Sequence, residues 1–164
     1  MPIVFIVLPF ILAFACYGEI KERRIPNWLT LGTIALGLGA AAIEHGTQGL
    51  VDSALGLAIT GGVFLPFCLL GIVGGGDMKL MAGVGAVACY PLALRVLCDT
   101  CLAGGIIAIA LMAWHGVLLT TLSNAARVIF GMPRRRDGLS KSPTVPYALA
   151  ITFGTIFAVF FQEF

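Results

Sequence analysis

Two acidic residues sit where the chain passes between apolar and polar sequence. Glu19 follows the apolar run from Ile3 to Tyr17, and Asp77 follows Gly74-Gly75-Gly76, just before the apolar pattern resumes at Leu80. Two carboxyl groups held a few ångströms apart cannot both ionise easily, so at moderate pH such a pair tends to share one proton. The charged member can take a proton from water as it attacks a peptide carbonyl. The protonated member can polarise that carbonyl and then protonate the leaving nitrogen. This chemistry requires neither a metal nor a nucleophilic serine, but it does require helices packed so that the two side chains meet. Asp77 is placed at the start of a helical pattern, where the helix dipole favours its ionised form. The glycines before it permit unusual backbone geometry and close passage of another segment. A nucleotide-binding loop is excluded, because no GK[ST] follows the glycines and no strand precedes them. Lys79, close behind Asp77, either tunes its charge or anchors the helix at a membrane surface. Glu22 is a weaker candidate than Glu19, since one more helical turn carries it farther from the apolar run.

The elements that must position these groups are read from the rest of the chain. Hydrophobic residues make up 59% of it and charged residues only 11%, with a mean hydropathy of +1.02, whereas soluble domains carry about 25% charged residues. The excess apolar surface calls for lipid. Candidate spans are Ile3 to Tyr17, Leu29 to Ile43, Leu50 to Val73, Leu80 to Leu94, Leu97 to Leu122 and Tyr147 to Phe161, roughly six helices at about 20 apolar residues per crossing. The expected fold is therefore an all-α, polytopic membrane helical bundle over 1–164, a single domain with no soluble domain. The second and fourth spans are short and are expected to begin inside a recessed, wetter site. Lys21, Arg23, Arg24, Lys79, Arg127, Arg134, Arg135, Arg136 and Lys141 fall in alternate loops, with Arg95 on the other side. By the positive-inside rule those loops are cytoplasmic and both termini external. The arginine cluster at 134–136 is read as a topology and lipid-contact feature, so no nucleic-acid partner is expected.

Ala13-Phe14-Ala15-Cys16 is weakly similar to a signal or lipoprotein cleavage site. No basic region precedes the apolar run, and the segment is expected to be the first helix. The five cysteines lie in or beside apolar spans, and their odd number argues for ordinary membrane-buried thiols and not for a disulfide framework. Cys98 and Cys101 have CxxC spacing, but metal binding would need a second pair. His115, inside the fifth span, is read as a helix–helix hydrogen-bonding group, and His45 has no evident partner. Small residues crowd the spans, including Gly71 and Gly75 in GxxxG spacing, a packing signal without functional specificity.

Three motifs occur in order at the expected cytoplasmic ends of the spans. They are Glu19 six positions before Ile25-Pro26-Asn27, then Gly74-Gly75-Gly76-Asp77, then Val145-Pro146-Tyr147. Over nearly the whole chain this resembles the prepilin peptidase family, the GxGD-class membrane aspartic peptidases, and most of all the short type that serves Flp or tight-adherence pili. The resemblance implies cleavage of pilin or pseudopilin precursors at the cytoplasmic face of the inner membrane, removing a short leader ahead of a hydrophobic helix. It implies Asp77 and Glu19 as the catalytic pair. Gly74, Gly75, Gly76, Lys79, Pro26, Asn27, Pro146 and Tyr147 would shape the site. Longer, bifunctional relatives also methylate the new terminus and carry an insertion with paired CxxC motifs. This sequence has no such insertion, so no methyl donor or other cofactor is expected.

At position 19 the sequence departs from the family, whose members usually have aspartate there. The extra methylene of glutamate shifts a carboxyl group by about 1 Å, and misplacement on that scale costs roughly 100-fold in rate. Three readings stay open on sequence alone: a natural active variant, a weakened or inactive relative that binds pilins or assembly partners, or an engineered substitution that traps a state. A small transporter with acidic residues along its pathway is a more distant alternative, without an internal repeat to support it.

Overall fold

A computed structural model describes residues 2–22, 25–69, 73–114, 116 and 147–160, and among these the long apolar runs punctuated by glycine and proline fold into five helices. The helices are α1 (Pro2–Glu22), α2 (Asn27–Leu69), α3 (Gly75–Ala88), α4 (Leu92–Trp114) and α5 (Tyr147–Phe160). Among the described residues there is no strand. The all-helical expectation is met. Among the described residues two helices, α2 and α4, are long and apolar enough to cross a membrane, and α1 and α5 carry shorter apolar stretches at Leu8–Glu19 and Tyr147–Val159. The chain divides into two compact units. The first is Met1–Ala103 with Pro146–Phe164, and the second, Gly104–Val145, has as its described residues the last turns of α4 and Gly116. Arg127, the arginines at 134–136, Lys141, Val145, Pro146 and His115 lie outside the described residues, as do Arg23 and Arg24.

The second and third expected spans are one element with a break in it. A straight 43-residue helix would run about 65 Å, about twice the thickness of a bilayer's hydrocarbon core. At Gly46 the backbone takes φ 60° and ψ −139°, a conformation that a side chain resists and glycine accepts. The chain there doubles back: a Cβ at Gly49 would run into the Ala41 carbonyl and the His45 side chain. The two arms of α2 correspond to the two apolar runs on either side of Gly46.

Between those arms lies α3. Thr33 and Gly37 of the first arm press on Gly83 and on the Ala86–Val87 backbone, while Thr60 and Gly61 of the second meet Gly85 and Ala82. The Ser53 hydroxyl donates to the Ala86 carbonyl at 2.7 Å. As a result every α3 residue from Leu80 to Ala88 is buried, as is Asp77. The hydroxyls of Thr33, Thr60 and Thr155 donate to the carbonyls of Leu29, Gly56 and Ile151 on their own helices, so each is buried without an unmet hydrogen bond. Gly85 is the tightest point, because a Cβ there would overlap the Thr60 hydroxyl and the Gly56 carbonyl. Gly85→Ala is expected to destabilise the protein by about 3 kcal/mol, since both obstacles belong to a packed helix and neither is a flexible side-chain end. Thermal unfolding in detergent measures it, and an unchanged midpoint would contradict this packing.

One boundary differs from the expected span Leu80 to Leu94. The helix ends at Ala88, Cys89 turns to φ 59°, and a new helix begins at Leu92. Pro91 is the physical reason, as its ring cannot continue an α-helix and leaves no N–H for the ladder. The Tyr90 N–H instead donates to the Asp52 carbonyl at 3.0 Å, tying this turn to α2. The other end of α3 also starts earlier than expected, at Gly75. Asp77 therefore stands within the first helical turn.

Candidate active site

Four local features set the site out. The first is the end of α1, which carries Glu19 one turn before the helix stops. The second is the start of α2. Pro26 precedes it, and the Pro26 carbonyl accepts the amides of Leu29 and Thr30 at 3.1 and 3.4 Å, so the rigid residue acts as the hinge pin of the new helix. The third is the start of α3, where Gly74 is the N-cap in an ordinary extended conformation, φ −69° and ψ 147°. The fourth is the start of α5 at Tyr147.

The glycine run before Asp77 is explained by close approach and not by backbone conformation. A Cβ on Gly76 would lie 3.1 Å from the Ile25 Cβ, and one on Gly74 would lie 2.9 Å from the Asp77 carboxylate. Ile25 can seat against α3 only because Gly76 is bare. The Asp77 carboxyl folds back over Gly74 and accepts its backbone N–H, the contact that an acidic residue in a helix's first turn makes with the N-cap amide.

Glu19, Ile25, Asn27, Gly74, Gly75, Gly76 and Asp77 line one cavity of about 370 Å³. Glu19 Oε2 accepts the Ala148 N–H at 2.9 Å, and the Tyr147 amide also reaches its carboxylate. The free amides at the start of α5 thus hold the side chain, as helix N-termini hold anions. Burial pushes the Glu19 carboxyl above the ordinary glutamate range, and the two amides pull it partly back. Asp77 is pushed further: burial first and the charge of Glu19 second raise it to about 7, against the opposing pull of the Gly74 amide. At the helix N-terminus the dipole favours an ionised Asp77, but desolvation and a neighbouring anion outweigh it. The Lys79 ammonium does not pair with Asp77. It donates instead to Asn27 Oδ1 at 3.1 Å, joining the start of α2 to α3.

Of the residues singled out in the sequence, Glu19, Asn27, Gly74, Gly75, Gly76 and Asp77 meet at the cavity. Lys79 reaches it through Asn27, Tyr147 through its backbone amide, and Pro26 by positioning α2. Pro146 lies outside the described residues, and so does the Glu22 side chain. Cys98 and Cys101 are exposed free thiols on α4, and His45 is exposed beside the Gly46 break. Two participants were missed. Ile25 was visible only as the first residue of Ile-Pro-Asn, and the Ala148 amide had no side-chain signal at all.

The type IV leader peptidase family matches residues 6–162 of the chain. No curated protein and no solved structure matches it.

Proposed function

This chain belongs to the type IV leader peptidase family, and from that premise we propose that it is a membrane aspartic endopeptidase that cuts the leader from type IV pilin-like precursors of the Flp type. The observation that carries this reading is the shared cavity, in which Asp77 is raised to about 7 beside the carboxylate of Glu19. In the neutral range that is one proton for two carboxyl groups, the charge state that acid–base hydrolysis needs. Glu19, held by the α5 amides, takes a proton from water as the water oxygen bonds to the scissile carbonyl carbon. Asp77 gives its proton to the leaving nitrogen as the C–N bond breaks, releasing a carboxylic acid and an amine. The proton on Glu19 then passes to Asp77 and resets the pair.

On this proposal the chain crosses the membrane six times with both termini outside, and the cavity lies at the cytoplasmic face of the inner membrane. The support is Lys21, Arg23 and Arg24 at the end of α1 and Lys79 near the start of α3, the wide exposure of apolar side chains such as Leu31, Leu102, Ile106 and Ile109, and the two long apolar helices. In lipid the irregular backbone at 73–74 is tolerated because Gly74 lines a polar cavity. The Flp type is supported by the four residues that separate α1 from α2, which leave no room there for a paired CxxC insertion. One domain, 1–164, would carry the whole activity.

Cleavage of a Flp-type precursor by the purified chain in liposomes, across a pH series, tests the proposal. A bell-shaped rate is expected. On the alkaline side it falls with a midpoint near 7 as Asp77 loses its proton, and on the acid side it falls as Glu19 gains one, above the ordinary 4.5. A rate that keeps climbing past pH 8 would sink the assignment of Asp77 as the acid. The glutamate at 19 favours one rival, a non-catalytic pilin-binding member. It wins if the chain retains precursor binding and cuts at no pH.

A further inference from the structure

Asn27, which lines the cavity, meets Lys79, whose Nζ donates to Oδ1 at 3.1 Å. An ammonium group has three donors and no acceptor, so it can meet a carboxamide only through the oxygen. The contact therefore fixes which way round the Asn27 amide stands, with Nδ2 and its two N–H groups turned away from Lys79. Among the described lining residues the one other side-chain donor is protonated Asp77. Glu19 is the base, Ile25 is apolar, and Gly74, Gly75 and Gly76 have no side chains. Hydrolysis places negative charge on the carbonyl oxygen as water adds, and the proton of Asp77 is destined for the nitrogen. A neutral, fixed donor aimed at that oxygen stabilises the transition state more than the ground state.

We propose that Asn27 Nδ2 receives the carbonyl oxygen of the bond being cut, and that Lys79 is a positioning residue that holds the Asn27 amide the right way round. The assignment rests on the peptidase reading above. It gives Lys79 a task distinct from tuning Asp77 or anchoring a helix. It also explains why an exposed lysine on α3 is spent on a neutral amide with two carboxylates nearby.

Steady-state cleavage of a Flp-type precursor by the full chain in liposomes tests it, with Asp77→Asn as the inactive control. Asn27→Ala is expected to lower kcat about 100-fold and leave KM within about threefold. Asn27→Asp, which keeps an acceptor for Lys79 and has no N–H to give, falls as far. Lys79→Met frees the amide to turn and lowers kcat about tenfold, whereas Lys79→Arg stays within about threefold. In the double variant Asn27→Ala with Lys79→Met, the second change costs nothing further, because Lys79 acts only through Asn27. If the chain cleaves, Asp77→Asn does not, and Asn27→Ala keeps kcat within about threefold, the Asn27 assignment alone is overturned. A full tenfold loss from Lys79→Met in the Asn27→Ala background overturns the positioning role. A wild-type chain that cuts no precursor overturns the peptidase reading and this assignment with it.

Discussion

Asp77→Asn loses cleavage by about 1,000-fold or more and, at pH 8, unfolds less readily than the wild type. The first effect follows from removing the proton that the leaving nitrogen needs, since positioned acid–base groups contribute about 100- to 10,000-fold each and Asp77 also takes back the proton from Glu19 that resets the pair. The second follows from its carboxyl being raised to about 7 in the fold, from an ordinary 3.8. A raised acid is most compatible with the fold when protonated. Its contribution is complete below the unfolded value of 3.8 and is lost as pH rises through about 7. Asparagine is neutral at every pH and can still accept the Gly74 amide. The variant should match the wild type near pH 4 and gain progressively up to about pH 7. Above that it should stand ahead by on the order of 3 kcal/mol, a rise of several degrees in Tm. Equal stability of the two proteins at pH 4 and pH 8 would mean that Asp77 is not a buried, charge-coupled acid.

Glu19→Asp lowers cleavage by about 10- to 100-fold instead of restoring it. The added methylene of glutamate, judged from the sequence as a displacement, is what lets the carboxylate reach the Ala148 amide at 2.9 Å. The shorter aspartate pulls back from the start of α5 by about 1 Å, losing a charge-assisted hydrogen bond and the alignment of the base with water. Cleavage that rises in Glu19→Asp would show that the glutamate impairs this chain, and the α5 contact would then be an obstacle to catalysis. Glu19→Gln separates reach from charge: it keeps the length, loses the base, and should fall as far as Asp77→Asn.

The sites of the two carboxyl groups were legible because each interrupts an apolar run, and the order of Ile-Pro-Asn, Gly-Gly-Gly-Asp and Val-Pro-Tyr was sufficient to link them. Local sequence also marked Pro26 and Gly74 to Gly76, and of the two reasons it offered for the glycines the structure agrees with close passage of another segment, not with unusual backbone geometry. They make room for Ile25 and for the Asp77 side chain itself. Other features depend on contacts between distant segments. The cradle that the two arms of α2 form around α3 depends on Thr33, Ser53 and Thr60 meeting Gly83, Ala86 and Gly85, and hydropathy sees only that all of these segments are apolar. The hold of α5 on Glu19 runs through backbone amides, which no side-chain pattern displays. The break at Cys89 was legible in principle, since Pro91 stood in plain view inside an expected span.

The most direct test of two carboxyl groups acting as one site is mass spectrometry of a Flp-type precursor after incubation at pH 6 with the wild-type chain, Asp77→Asn and Glu19→Gln in liposomes. A single cut, just ahead of the precursor's apolar helix, is expected from the wild type and from neither variant. Cutting at that position by Asp77→Asn at a rate near the wild type's would contradict it.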